Sequence, residues 1–439
     1  MRMLVKRDAA SLRRSPAALA SAWIALFAVL SVGRPALAGG YGPSAALDSS
    51  PSPLPDRIML TWSGDPATTQ AVTWRTSADA AVAFAEIARA GASPDFHEGA
   101  RRVPAKTETL RTASGEALFH SVAFTDLSPN SFYAYRVGSD SGWSEWFQFR
   151  TAAGERRPFS FIYLGDAQNN ILAQWSRVVR AAFAAAPNAR FVLHAGDLVT
   201  DGADDALWGE WFRAGGWIHA TIPGIPAAGN HEYVNDDKLN DHWRAQFTLP
   251  ENGVPGLEET VYFIDHDGVR IVVLNSCEEI ERQASWLEGV LADNPNPWTI
   301  ALFHHPVYSG ARDRDNEELR RLWKPLFERY GVDLVLQGHD HVYARGKNLP
   351  GSEEAAEGPM YVVSVSGPKM YDLTSERWMD RAAENTQLYQ VLSVDQDTLR
   401  FEAYDATGAL YDAFDLVKRG ASGSRLVDRT PSGVPERLN

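Results

Sequence analysis

Two textures of apolar and polar positions divide the chain. Between residues 57 and 151 the period is two, as in Gln70-Ala71-Val72-Thr73-Trp74-Arg75, Ser121-Val122-Ala123-Phe124 and Phe132-Tyr133-Ala134-Tyr135-Arg136-Val137. Trp146-Phe147-Gln148-Phe149-Arg150 closes the series, and Leu127-Ser128-Pro129-Asn130 reads as a turn within it. Alternation over short runs separated by turn signals predicts an all-β sandwich. From Phe159 the texture changes. Apolar, strand-like runs at 159–164, 190–195, 269–274, 298–303 and 332–336 alternate with stretches of helical period at 171–186, 205–219 and 317–330. That alternation predicts an α/β domain with mixed sheets flanked by helices. Runs at 360–366, 388–394, 398–404 and 410–416 return to β.

The expected organisation is a segment 1–38, a Gly/Ser/Pro-rich linker 39–54, the sandwich 55–151, the α/β domain 152–418 and a polar tail 419–439 expected to be disordered. The first segment has basic residues, an apolar run at 17–30 and a small-x-small pattern at Ala36-Leu37-Ala38. These are the features of a cleaved export signal. They predict a secreted or periplasmic protein with no stable membrane insertion after cleavage. The formal net charge of −14 argues against nucleic-acid binding through a basic surface. The one cysteine, Cys277, leaves no intramolecular disulfide, so the fold is held by its core.

The chemistry sits in short polar blocks in fixed order: Gly165-Asp166, Gly196-Asp197, Gly229-Asn230-His231-Glu232, His304-His305-Pro306 and Gly338-His339-Asp340-His341. Each follows or adjoins an apolar strand, the position where α/β sheets bind ligands. Carboxylate, imidazole and amide oxygen together suit Mn, Fe, Zn or Co. A carboxylate such as Asp197 can bridge two ions, which then clamp a phosphoryl group.

The order Gly-Asp, Gly-Asp, Gly-Asn-His-Glu, His-x-Pro, Gly-His-x-His resembles the calcineurin-like metallophosphoesterase superfamily. The preceding fibronectin type III-like sandwich and the run His339-Asp340-His341-Val342-Tyr343-Ala344-Arg345 resemble its purple acid phosphatase branch. The resemblance implies one metal on Asp166, Asp197 and His341, and a second on Asp197, Asn230, His304 and His339. It implies a metal-bound hydroxide attacking the phosphorus of a small phosphate ester, with His231 at the transition state or the leaving oxygen. Asn230 and His231 would meet the substrate, and Tyr308 and Arg314 are further candidates for the pocket. Two positions depart from the branch: Gln168 stands where it has Gly, and Thr200 where it has a tyrosine ligand. Gln168 is thus a candidate replacement ligand. Two divalent ions (Fe, Mn or Zn) without a tyrosinate-to-ferric colour are expected. A phosphodiesterase or nucleotidase would use the same site. A non-catalytic binding protein with a decayed first metal site is the rival class.

Overall fold

A computed structural model describes residues 49–234, 238–346, 358–418 and 424–438. The proposed export segment, most of the linker and the first tail residues lie outside these. The period-two region forms two antiparallel sheets. One orders the strands Asp56–Thr61, Gln70–Ser77, Gly115–Phe124 and Lys106–Thr112. The other orders Arg101–Pro104, Phe84–Arg89, Phe132–Ser139 and Gly142–Trp143, with Phe147–Arg150 also on Phe132–Ser139. Leu60, Val72, Trp74, Ile87, Val122, Tyr135 and Phe149 fill the space between them. Alternate positions along each strand thus meet in one core.

The second domain holds two seven-stranded mixed sheets. In the first, Phe159–Leu164, Val192–His194 and Gly224–Pro226 run parallel, and Leu388–Asp395, Thr398–Asp405, Leu410–Lys418 and Ser424–Asp428 extend the sheet antiparallel. In the second, Val269–Val273, Trp298–Leu302, Leu334–Gln337 and Met360–Val363 are parallel, flanked by Tyr262–His266, Tyr343–Gly346 and Arg381–Ala383. One apolar cluster joins the sheets through Phe161, Leu193, Ile225, Ile271, Ile300 and Leu334. Helices Ser176–Ala185 and Asp205–Gly215 also pack into it, so Trp208 and Trp211 are core residues. A second cluster packs the other sheet against Ile280–Ala292, Glu317–Leu322 and Lys324–Arg329. Strands covered on both faces read as unbroken apolar runs, which is why 298–303 and 332–336 do not alternate.

Two expectations need correction, and one helix is an addition. The helix read over 317–330 is two, because Pro325 has no N–H to donate and crowds the preceding turn, so a new helix starts around it. Helix Ile280–Ala292 was not anticipated. The tail is ordered over 424–438: Ser424–Asp428 pairs with Leu410–Lys418, and Glu436 Oε1 accepts from Ala382 N–H at 2.7 Å. Glu384 N–H also donates to Arg437 O at 2.9 Å. Backbone pairing at a sheet edge holds residues whose polar side chains carry no burial signal. Among the described residues no helix is long and apolar enough to cross a membrane.

Candidate metal centre

The parallel strands end together, and their carboxyl ends carry the polar blocks. Leu164 leads to Asp166, His194 to Asp197, Pro226 to Asn230, Leu302 to His304 and Gln337 to His339. The chain turns sharply there: Asp166, Asp197 and His339 have φ of 35°, 50° and 69°. Non-glycine residues enter this region at a cost, and such outliers concentrate at functional sites. Two glycines allow the loops to close on the acids. A Cβ on Gly229 would collide with Asp197 Oδ1, and one on Gly338 with Asp166 Oδ2.

Ligand-type atoms of Asp166, Asp197 and His304 lie within 4.8 Å of one another, as do those of His304, His305 and His339. Asn230 Oδ1 is 3.2 Å from His304 Nε2 and 3.1 Å from His339 Nδ1, and these two nitrogens are 3.1 Å apart. Asp197 Oδ2 stands 3.2 Å from His304 Nε2. On the other side His341 Nε2 is 3.6 Å from Asp166 Oδ1. All the residues proposed as metal ligands therefore meet in one place.

Outer contacts fix which atoms face inward. His304 Nδ1–H donates to Ala195 O and His341 Nδ1–H to Lys369 O, both at 2.8 Å, which turns each Nε2 to the centre. Buried Glu232 accepts from the backbone N–H groups of Asp197, Leu198 and Gly229 at 2.8–2.9 Å and so ties two loops together. His231 N–H donates to Asp197 Oδ1 at 3.0 Å, and its Nδ1–H to Thr200 O at 2.5 Å. Its Nε2 stands 3.9 Å from Asp197 Oδ2, with the side chain 28% exposed.

Electrostatics mark the centre as a place for positive charge. Burial pushes the Asp166 carboxyl well above its ordinary range, and the neighbouring Asp197 charge adds to this. Burial works against charge on His304, but Asp197 and Asp166 overcome it and lift the imidazole to about 9. Burial would also keep Asp197 neutral, yet His304 and His231 hold it below the usual carboxylate range. Burial lowers His341 to about 3, and burial with the neighbouring imidazoles depresses His339 further. The buried acids are compensated here by charge on His304, while burial keeps His339 and His341 neutral and able to receive a cation.

Gln168 lies inside the cluster. Its Nε2 donates to Asp197 Oδ2 at 2.7 Å and to His341 Nε2 at 3.1 Å, while its Oε1 is buried without a hydrogen-bond partner. A half-turn of the terminal amide would present that oxygen to the same space. Thr200 does not reach the centre; its Oγ1 accepts from Asn169 N–H at 2.9 Å. Tyr308 belongs to the second apolar cluster rather than the pocket, stacked on Trp378 at 5.8 Å and edge-on to Tyr361 at 5.1 Å. Arg314 sits at the edge, 3.3 Å from Asp340 Oδ1 and over the Tyr371 ring at 4.8 Å. Sequence reading missed Lys369 and Tyr371, whose ring lies 4.6 Å from that of His341. Ser276 was also missed; its Oγ lies 2.9 Å from His305 Nδ1. No motif surrounds these residues, and only the packing of distant strands brings them in.

Paired mixed sheets with acids, imidazoles and an amide at the strand ends define the class of calcineurin-like phosphoesterases. A profile for Calcineurin-like phosphoesterase matches residues 159–343, and one for the Purple acid Phosphatase N-terminal domain matches 55–151. Residues 159–343 thus form a calcineurin-like phosphoesterase domain, preceded by a purple acid phosphatase N-terminal domain at 55–151. It is 29% identical over 293 residues to an uncharacterized protein of Mycobacterium tuberculosis, covering 57% of this chain and 55% of that protein. It is 28% identical over 356 residues to acid phosphatase type 7 of Danio rerio, covering 68% and 77%. The chain thus spans a little over half the length of the mycobacterial relative. A purple acid phosphatase from yellow lupin (Lupinus luteus) seeds has the same fold, with a TM-score of 0.69 at 20% identity over 84% of this chain and 75% of that one.

Proposed function

We propose that this chain is a metal-dependent phosphoric ester hydrolase of the acid phosphatase type. The observation that carries the proposal is the convergence of Asp166, Asp197, Asn230, His304, His339 and His341 at the ends of parallel strands. The donor set fits divalent Fe, Mn or Zn, one ion on Asp197, Asn230, His304 and His339 and another on Asp166, Asp197 and His341. Such ions would supply Lewis acidity toward the phosphoryl oxygens and lower the pKa of water. Gln168 and Thr200 provide no tyrosinate, so no tyrosinate-to-ferric colour is expected.

The chain's own residues supply position and a proton. Asp197, reached by both ligand sets, sets the spacing between them. His231 keeps Nδ1 on Thr200 O, so Nε2 faces the open side, where it can hydrogen-bond the phosphoryl group or protonate the leaving oxygen. In the net reaction water adds to phosphorus, the ester P–O bond breaks, and the alcohol leaves with a proton. The acid phosphatases and purple acid phosphatases among its relatives support a small phosphate ester as substrate, and the N-terminal pattern supports export. The test is turnover of para-nitrophenyl phosphate and its bis-ester by the full chain with Mn, Zn, Fe or chelator. Hydrolysis that chelation abolishes supports the reading; no turnover with any ion favours a binding protein instead.

A further inference from the structure

The centre opens on one side into a cavity of about 510 Å³. Half-buried Asn230, His305 and His339 face it from the ligand cluster, and Tyr233, Ile280 and Leu319 give it an apolar wall. Exposed Asp315, Glu317 and Glu318 stand at its mouth. No Lys or Arg is among the described residues that line it. A contiguous space of about 670 Å³ shares Ile280 and Glu318 and adds Glu278, Glu279 and Glu281 against a single Arg282. Nearby arginines neutralise only part of this charge: Arg320 pairs with Asp315 at 2.6 Å and Arg321 with Glu318 at 3.6 Å. Glu317 has no ion-pair partner among the described residues. Positive charge stands behind the ligand cluster instead: Arg314 donates to His339 O at 3.4 Å, and Arg314 and Lys369 lie over the Tyr371 ring at 4.8 and 5.4 Å.

We infer that the leaving group of the preferred substrate is an alcohol bearing an ammonium group, of the ethanolamine or choline kind, and that Asp315, Glu317 and Glu318 select it. The inference rests on the phosphoesterase reading. A phosphoryl group held at Asn230 and His339 sends its ester substituent into this cavity, since the cavity adjoins those two residues. The apolar wall accepts methylene and methyl groups, and the Tyr233 ring suits a cation. The carboxylates attract an ammonium and repel a second phosphate, which disfavours nucleoside polyphosphates and inositol polyphosphates. Because these carboxylates are exposed, their effect is moderate and falls as salt shortens the Debye length below about 10 Å.

The test compares kcat/KM for phosphocholine with that for 3,3-dimethylbutyl phosphate, which has the same shape with carbon in place of the charged nitrogen. The full chain is loaded with Mn or Zn, and para-nitrophenyl phosphate serves as a control. A preference of about tenfold for phosphocholine at low ionic strength is expected. It should shrink toward parity in 0.5 M salt and in the triple variant Asp315→Asn, Glu317→Gln, Glu318→Gln, with an intermediate ratio for Glu317→Gln alone. The ratio within each variant cancels losses common to both esters. Equal kcat/KM for the two esters, or a preference unchanged in the triple variant, overturns the inference while control turnover leaves the phosphoesterase reading standing. No turnover of the control with any ion overturns both.

Discussion

The two halves of the candidate centre stand on the same kind of scaffold and differ in what occupies them. In the half made by Asn230, His304 and His339, three ligand atoms face one another at 3.1–3.2 Å. In the half made by Asp166 and His341, an amide N–H₂ of Gln168 spans His341 and Asp197, the place a cation would take. Strand ends deliver the residues in both halves. One side chain decides whether the space between them is lined by acceptors alone or filled by a donor. On the proposed reading, one framework thus offers two positions that fit a cation unequally.

The largest effect should come from the residue both halves share. Asp197→Asn keeps an oxygen for His231 N–H but removes the charge that lies 3.2 Å from His304 Nε2. Hydrolysis of para-nitrophenyl phosphate should fall on the order of a thousandfold, near 4 kcal/mol of transition-state stabilisation. A rate within tenfold of the parent would remove Asp197 from the chemistry.

Next is the loop that carries Asp197 and Thr200. It leads into helix Asp205–Gly215, and buried Asp205 is clamped by Arg57 at 2.8 Å, Arg75 at 3.1 Å and His242 at 3.4 Å. The arginines belong to the sandwich domain, so this cluster ties that domain to the loop. Burial pushes the Asp205 carboxyl up, but His242 and the two arginines hold it well below the ordinary range. Its contribution is therefore present above about pH 4 and is lost as pH falls through the depressed folded value. Asp205→Ala leaves buried Arg57 without its carboxylate, while Arg75 keeps Asp56 at 2.6 Å, and should cost about 3 kcal/mol, read as a lower denaturation midpoint at neutral pH. An unchanged midpoint would mean that the Asp205 cluster does not hold the two domains together.

The contrast between the halves has its own test. Calorimetric titration with Mn or Zn should resolve two unequal sites, and His304→Ala should abolish the tighter one. Gln168→His removes the spanning amide and offers a neutral nitrogen, so it should strengthen the weaker site about tenfold. Two equal sites in the parent chain would show that the Gln168 amide turns at no cost.

Much of this was legible in the chain, for identifiable reasons. Gly beside Asp or His after an apolar run marks a strand end whose backbone bends toward a ligand, and those residues meet here. Period two made the sandwich legible because one face of each strand is buried. Proximity in sequence misled for Tyr308, which follows His305 closely but turns into the packing around Trp378 and Tyr361. Within 424–428 only Leu426 and Val427 are apolar, too short a run to signal a strand, and the order of the segment comes mainly from backbone pairing at a sheet edge, which leaves no mark on hydropathy. Lys369 and Tyr371 reach His341 only through tertiary packing after strand Met360–Val363.

The smallest expected effect concerns Arg314, the sequence candidate for a phosphate contact. Its guanidinium donates to His339 O at 3.4 Å and to Asp340 Oδ1 at 3.3 Å, and its side chain is 31% exposed. Asp340 is also held by the N–H groups of Gly310 and Ala311 at 2.8 and 3.1 Å, so it does not depend on the arginine for order. A partly exposed ion pair of this geometry contributes about 1 kcal/mol or less. Arg314→Ala should therefore change kcat/KM for para-nitrophenyl phosphate by no more than about fivefold, with most of the change in KM. A rise in KM of a hundredfold would mean that the guanidinium leaves Asp340 to bind phosphate, and the charge beside His339 would then belong to substrate recognition.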